Sequence, residues 1–324
     1  MEGWNPAAAR LCGLIVFAIL VLAIGCGDSL AQVGNRNFYG AMVTEDPNPD
    51  NGVSLSPQWY GTDGIDAFSL SLSIEKQITD STSLQINDAW NAETCTDPAI
   101  CIAESFNRHH HQVNRKNGQI GKVGSGFDNL QLLGKLVLAT SVPHEFRLAI
   151  GPNLFLSSGN TIAGAATHTY TGPIVMLEKG MGDIREDGMV RLLRPIALQA
   201  DGGFLLNTGG SQAYEWFSDI SIAYDFSYLG SYVKNVEVPR WLAHFVLFSE
   251  FEMAGLFDQS TGGASPDFRI TPGIAYLLGD YQFTVGSEIA LNKGSVFYDH
   301  NSVLTSISVP LSVLDPGLGP PLFQ

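Results

Sequence analysis

The sequence has few charged side chains and very few basic ones, and each shortage excludes a class of protein. Asp, Glu, Lys and Arg make up 15% of the 324 residues, a low fraction for a surface that is fully exposed to water. Lys and Arg number 17 against 32 Asp and Glu, and the formal net charge is −15. Because binding to phosphate groups relies on basic side chains, we expect no nucleic acid among the partners.

Long apolar segments are also missing. The longest runs from Leu11 to Ile24, and its 14 residues fall short of the roughly 20 that a membrane-spanning helix requires. It follows Arg10 and precedes the small-residue stretch that ends at Ala31, an arrangement typical of a secretory signal peptide. We therefore predict a signal peptide over residues 1–31 and a single mature domain over residues 32–324, with a retained N-terminal anchor as the alternative.

Cysteine is scarce too, and two of the four cysteines, Cys12 and Cys26, fall within the predicted signal peptide. The sequence around Cys26 loosely resembles a lipoprotein processing site, so a lipid on Cys26 is the alternative to cleavage before Gln32. The mature domain then retains only Cys95 and Cys101. Because export places both in an oxidising compartment, we predict a disulfide between them.

Three consecutive histidines, His109, His110 and His111, lie in the same polar stretch as Cys95 and Cys101. Imidazole is a good ligand for transition metals, but contiguous side chains seldom all point at one ion, and no acidic residue adjoins this run. We therefore interpret the stretch as a solvated loop and predict neither a metal site nor a cofactor.

Apolar and polar residues alternate over segments that are long enough to cross a bilayer as β-strands. In residues 66–78, for example, Phe68, Leu70 and Leu72 alternate with serines. Such strands need about 9 to 11 tilted residues to cross, against about 5 to 6 in a usual globular strand. The segments predict an all-β fold, an antiparallel transmembrane β-barrel of about 12 strands with one long loop between residues 92 and 126. A soluble β-sandwich would show the same alternation with its apolar face turned inward.

Six short motifs, each present once, lie along the chain between Phe38 and Phe323. They are GFDNLQLLGK at 126–135, IGPNLFLSSG at 150–159, GPIVMLEK at 172–179, PGIAY at 272–276, ALN at 290–292 and LDPGLGPPLF at 314–323. With these motifs the chain resembles the outer-membrane β-barrel family named after the meta-pathway of phenol degradation. The resemblance implies a channel or transporter for small, often aromatic solutes in the outer membrane of a Gram-negative bacterium, with outer-membrane lipid and the barrel-assembly machinery as partners.

Polar residues on the predicted strands are the candidate functional residues, because in a barrel they would point into the lumen. They would form either a selectivity ring or a network of ion pairs that fills and stiffens a narrow lumen. The candidates are Glu75, Lys135, Arg147, Glu178, Asp201, His244, Glu250, Glu252, Arg269 and Glu288.

These patterns together predict a passive outer-membrane channel for small molecules, including hydrophobic or aromatic ones. Selectivity would come from the lumen diameter, from the candidate side chains and from any inward folding of the 92–126 loop. The alternative is a non-transporting structural or partner-binding barrel with a plugged lumen. An enzyme is a third class, but the sequence contains no Gly-X-Ser-X-Gly or His-Glu-X-X-His motif, so we predict no catalytic residues.

Overall fold

A computed structural model describes residues 32–33, 36–62, 65–95, 121–160, 165–166, 168–209, 215–256, 266–292 and 301–323. Within this part of the chain, twelve antiparallel strands close into a barrel. Each strand pairs with its neighbours in sequence, and the last strand pairs with the first, so no sheet edge is left open. The predicted all-β class, the antiparallel topology and the number of strands are confirmed.

We number the barrel strands β1 to β12 in chain order. Their bounds are β1 Gly52–Thr62, β2 Ile65–Thr79, β3 Thr82–Cys95, β4 Gly121–Phe127 and Leu130–Ser141, β5 Phe146–Leu156, β6 Tyr170–Gly180, β7 Ile196–Asn207, β8 Glu215–Asp225, β9 Phe245–Leu256, β10 Asp267–Leu278, β11 Tyr281–Ala290 and β12 Asn301–Pro310. The two segments of β4 pair with different halves of β3. Ahead of the barrel, Gln32–Val33 forms a short antiparallel ladder with Arg36–Asn37.

Short helical segments cover the end of the barrel where β1 begins and β12 ends, which we call the terminal end. They are the α-helix α1 at Phe226–Tyr232, the α-helix α2 at Leu311–Leu314, and single 3₁₀ turns at Val142–His144, Met189–Leu193 and Pro316–Leu318. The side chain of Asp225 caps α1 by accepting hydrogen bonds from two of its backbone N–H groups. Among the described residues, no helix is long and apolar enough to cross a membrane.

The connections differ between the two ends of the barrel. At the terminal end, β2 and β3 are joined by two residues, as are β10 and β11, where Gly279 takes the left-handed conformation (φ 59°) that the tight turn requires. At the opposite, distal end lies the long connection between β3 and β4. Residues 92–95 and 121–126 of the predicted loop are strand. Residues 96–120, which include Cys101 and the three histidines, lie outside the described residues, as does the predicted signal peptide.

The outer face of the barrel is apolar, because side chains alternate between the two faces of each strand. Leu72, Leu247 and Val285 lie on different strands and are all exposed, although each is a large hydrophobic side chain. The same strands turn serine, glutamate and threonine inward at Ser73, Glu250 and Thr284. This distribution matches a lipid-facing exterior around a polar interior, and it is the reverse of a soluble sandwich.

A charge introduced on the outer face is therefore expected to oppose insertion into lipid, and the cost should be larger in the middle of a strand than at its end. Val285 lies in the middle of β11 and is 50% exposed, so Val285→Lys should destabilise the inserted barrel by about 2 to 4 kcal/mol. The matched control, Leu278→Lys at the terminal end of β10, should cost about 0 to 1 kcal/mol. The measurement is the urea dependence of refolding into phospholipid vesicles, and equal costs for the two variants would contradict a membrane-facing exterior.

Candidate functional site

The chain immediately before β1, residues 38–51, lies inside the barrel, and we call it the inner segment. Its first two side chains, Phe38 and Tyr39, are both 3% exposed. Tyr39 stacks on Phe248 of β9 with the ring centroids 5.1 Å apart, and its hydroxyl is hydrogen-bonded to Ser221 of β8. The barrel interior is thus partly filled by the chain's own N-terminal region.

Glu250 of β9 is the main attachment point of the inner segment. Its carboxylate accepts hydrogen bonds from the backbone N–H groups of Met42 at 2.8 Å, Val43 at 2.8 Å and Thr44 at 3.0 Å. The Glu250 side chain is fully buried. Since a buried carboxylate is costly unless its oxygens are hydrogen-bonded, these three donors both stabilise the charge and fix the path of the segment.

Two further strands hold the same stretch of backbone. The N–H of Gly40 donates to Oε1 of Gln282 on β11 at 2.8 Å, and the N–H of Glu45 donates to Oδ2 of Asp201 on β7 at 2.6 Å. Together with Glu250, these contacts tie residues 40–45 to the wall formed by β7, β9 and β11.

A buried cation links the inner segment to the other side of the barrel. The Nζ of Lys135 on β4 lies 3.0 Å from Glu75 of β2, 3.7 Å from Glu45 and 3.9 Å from Asp46. The Lys135 side chain is 1% exposed. One ammonium group therefore compensates three carboxylates, two of which come from the inner segment.

The end of the inner segment is also acidic and buried. The N–H of Asp50 donates to Oε1 of Glu75 at 3.1 Å. Burial, together with the nearby charges of Glu75 and Asp46, raises the pKa of Asp50 to about 7. Burial also raises the pKa of Glu45, although Lys135 acts in the opposite direction. Protonation of Asp50 near neutral pH would therefore lower the negative charge around Lys135.

The structure places nine of the ten residues predicted to line the lumen on the inward faces of strands. They are Glu75, Lys135, Arg147, Glu178, Asp201, Glu250, Glu252, Arg269 and Glu288. His244 differs from the prediction: it precedes β9 by one residue, it is exposed, and its Nδ1 lies 3.0 Å from the carbonyl oxygen of Leu277. The alternation of apolar and polar residues continues from β9 back to His244. The strand itself begins only at Phe245, so His244 lies outside the sheet.

Several of these residues pair with one another across neighbouring strands. Arg269 of β10 forms an ion pair with Glu288 of β11 and another with Asp267 at 2.9 Å. Arg147 of β5 lies 3.8 Å from Glu178 of β6. In the described part of the barrel, the inward charges therefore include local clusters along the wall.

Cavities lie between the inner segment and the wall of the described barrel. The first that we consider, of about 370 Å³, lies against β1 to β4, β11 and β12, and the second, of about 340 Å³, lies against β4 to β10. Both are bounded by Val43 and Glu45 of the inner segment and by Gln131 of β4. The second contains the carboxylates of Asp219 and Glu252.

The inner segment is the part of the site that the sequence analysis missed. The sequence predicts a constriction only at the loop between residues 92 and 126, because residues 38–51 show no strand alternation. The available signal was weak: two adjacent aromatic residues, Phe38 and Tyr39, precede an irregular stretch that contains Pro47 and Pro49. Such a stretch is compatible with an external tail as well as with an internal plug.

Comparison with known proteins supports the fold. No family model matches the chain, and no curated protein matches it. Among solved structures, an outer membrane channel from Pseudomonas putida F1 aligns with a TM-score of 0.53 and 11% identity, covering 84% of this chain and 99% of that chain. The KdgM porin aligns with a TM-score of 0.42 and 10% identity, and the NanC porin with a TM-score of 0.46 and 9% identity. Each of these two alignments covers 79% of this chain and 98% of the porin chain.

Proposed function

We propose that this protein is an outer-membrane channel through which small molecules diffuse, and that the inner segment is its constriction. The observation that carries the proposal is the pair of cavities on two sides of residues 38–51, both bounded by Val43, Glu45 and Gln131. An apolar exterior and a polar interior with unfilled space are the arrangement that a solute route across lipid requires.

The location follows from the same arrangement. A closed barrel satisfies all of its backbone hydrogen bonds within the sheet, so its apolar exterior is compatible with hydrocarbon. We propose export by the predicted signal peptide, insertion by the barrel-assembly machinery and residence in outer-membrane lipid. The resemblance to the phenol-degradation family belongs to this proposal too, and it suggests solutes that include aromatic compounds.

A specific observation favours the second candidate, a barrel that is plugged and does not transport. Three strands hold residues 40–45 through five hydrogen bonds that backbone N–H groups donate to Glu250, Gln282 and Asp201. If the inner segment never moved and the two cavities did not connect, the barrel would be a structural or partner-binding element.

The experiment that distinguishes the two candidates is planar-bilayer recording of the purified, refolded full-length protein. Folding is verified first by heat-modifiable electrophoretic mobility and by circular dichroism. The channel proposal predicts discrete, reproducible current steps. A folded preparation that inserts into vesicles but yields no current steps would contradict it and support the plugged barrel.

A further inference from the structure

The first cavity is lined on one side by hydroxyl groups. Six inward-facing serines on three adjacent strands border it, and we call them the serine wall: Ser54 and Ser56 on β1, Ser71 and Ser73 on β2, and Ser306 and Ser308 on β12. Strand register aligns them in two rows across the sheet. Ser308, Ser54 and Ser73 form the row nearer the terminal end, and Ser306, Ser56 and Ser71 form the next.

The spacing of these hydroxyls follows from sheet geometry. Cross-strand neighbours lie about 4.5 to 5.5 Å apart, and successive inward residues on one strand lie about 7 Å apart. Within the second row, Ser56 Oγ donates to Ser306 Oγ at 3.0 Å. The serine wall is thus a two-dimensional array of groups that each donate and accept hydrogen bonds.

Amide side chains continue this surface onto the next two strands. Asn87 Nδ2 donates to Gln131 Oε1 at 2.9 Å, and Gln85 Nε2 donates to both Glu45 and Asn87 at 3.1 Å. Gln85 lines the cavity but is only 6% exposed, and its Oε1 is closed off from the cavity space. The half-buried side chains of Asn87 and Gln131 are therefore the accessible amides of this surface.

The rest of the cavity lining supplies apolar contacts and negative charge. Met42 of the inner segment and Leu304 of β12 present apolar atoms to the cavity. The charged residues that border it are Glu45, Asp46, Asp50, Glu75 and Asp280 against Lys135. This balance disfavours anionic solutes, because they would meet an excess of carboxylates.

We propose that this cavity is a binding subsite for an uncharged polyhydroxylated solute, a polyol or a sugar of one ring, on its way through the channel. The inference rests on the proposed channel function and names its solute class. A hydroxyl-rich solute can exchange hydrogen bonds with both serine rows and with the amides of Asn87 and Gln131, while its C–H faces contact Met42 and Leu304. The volume of about 370 Å³ lies within the range of small-molecule sites. A purely apolar solute would leave these hydroxyls and amides unsatisfied.

The test is a liposome swelling assay with the full-length protein and two solutes of similar size that do not cross lipid unaided, arabinose and glycine betaine. Betaine has no hydrogen-bond donor and arabinose has several, so arabinose should enter faster. In Ser71→Ala/Ser73→Ala, one hydroxyl is lost from each row, and arabinose entry should fall by roughly five-fold for each hydroxyl that contacts the solute. Betaine entry should change little.

The control variant is Ser249→Ala/Ser287→Ala, which removes two serine hydroxyls from the outer face of β9 and β11. It should keep the wild-type preference for arabinose. Ion conductance in a planar bilayer is recorded for every variant, so that the channel itself is tested separately.

Two results would overturn the inference while leaving the channel proposal intact. One is ion conductance with equal entry of arabinose and betaine in the wild type and in Ser71→Ala/Ser73→Ala. The other is block of the ion current by phenol but not by arabinose at the same concentration, which would assign the cavity to aromatic solutes. Absence of both ion current and swelling in a folded preparation would instead contradict the channel proposal, and the inference with it.

Discussion

Glu250→Gln is expected to increase the fraction of time that the channel spends in its most conductive state. The native carboxylate accepts three backbone N–H groups of the inner segment, and hydrogen bonds to a charged group contribute about 1.5 to 3 kcal/mol each. Glutamine is nearly the same size but is uncharged, and its amide nitrogen faces the donors. Loss of about 2 kcal/mol of attachment would shift the ratio of released to attached segment by roughly 30-fold. Single-channel recording measures this as open probability or mean conductance.

The matched control is Glu252→Gln, two residues further along the same inward face of β9. Its carboxylate is hydrogen-bonded to Thr271 at 3.2 Å. Since it contributes no hydrogen bond to the inner segment in the described structure, its removal should change the ion selectivity of the second cavity more than the open probability. Equal changes in open probability for the two variants, or none for Glu250→Gln, would contradict an attachment role of Glu250.

Lys135→Met is expected to produce the largest loss of stability among single substitutions in the lumen. It removes the ammonium group that lies within 4 Å of Glu45, Asp46 and Glu75 and leaves those carboxylates facing one another. Removal of one partner from a buried ion pair typically costs about 3 to 5 kcal/mol. The measurement is the urea midpoint of unfolding in detergent micelles or lipid vesicles, followed by heat-modifiable mobility.

Two further variants separate the charge effect from a packing effect. Lys135→Met combined with Glu75→Gln should recover part of the lost stability, because one of the uncompensated carboxylates is removed with the cation. Lys179→Met, which breaks the more exposed pair with Asp183 near the terminal end, should cost about 1 kcal/mol or less. If the double variant were as unstable as Lys135→Met alone, the loss would come from packing around the lysine stem.

The strands and their facing could be read from the sequence because a strand's side chains alternate with a period of two. In β8, Ile220 and Ile222 face outward and Ser221 faces the lumen, as the alternation predicts. In β9, Leu247 faces outward and Glu250 inward for the same reason. The period of two does not say which face of a strand meets lipid. The length of these segments is what distinguished them from the shorter strands of a soluble domain.

The partners of the lumen side chains could not be read in this way. Glu250 bonds to Met42 across 208 positions of the sequence, and Lys135 contacts Glu75 across 60. Contacts at such separation depend on barrel closure and on the path of the inner segment, neither of which leaves a local periodic signal. The prediction for His244 fails because it, too, relied on local alternation. Only the hydrogen-bonded ladder of a sheet turns alternate side chains inward, and His244 lies before that ladder begins.

The conducting role of the inner segment is tested most directly by a single cysteine at Val43, which borders both cavities. Val43→Cys is made in a chain with Cys12, Cys26, Cys95 and Cys101 replaced by serine, and current is recorded while a positively charged methanethiosulfonate reagent is added. A stepwise reduction of the single-channel current is predicted, because the reagent attaches a bulky cation within the solute route. Complete modification, verified by mass spectrometry, with an unchanged current would contradict the placement of residues 38–51 in the conducting path.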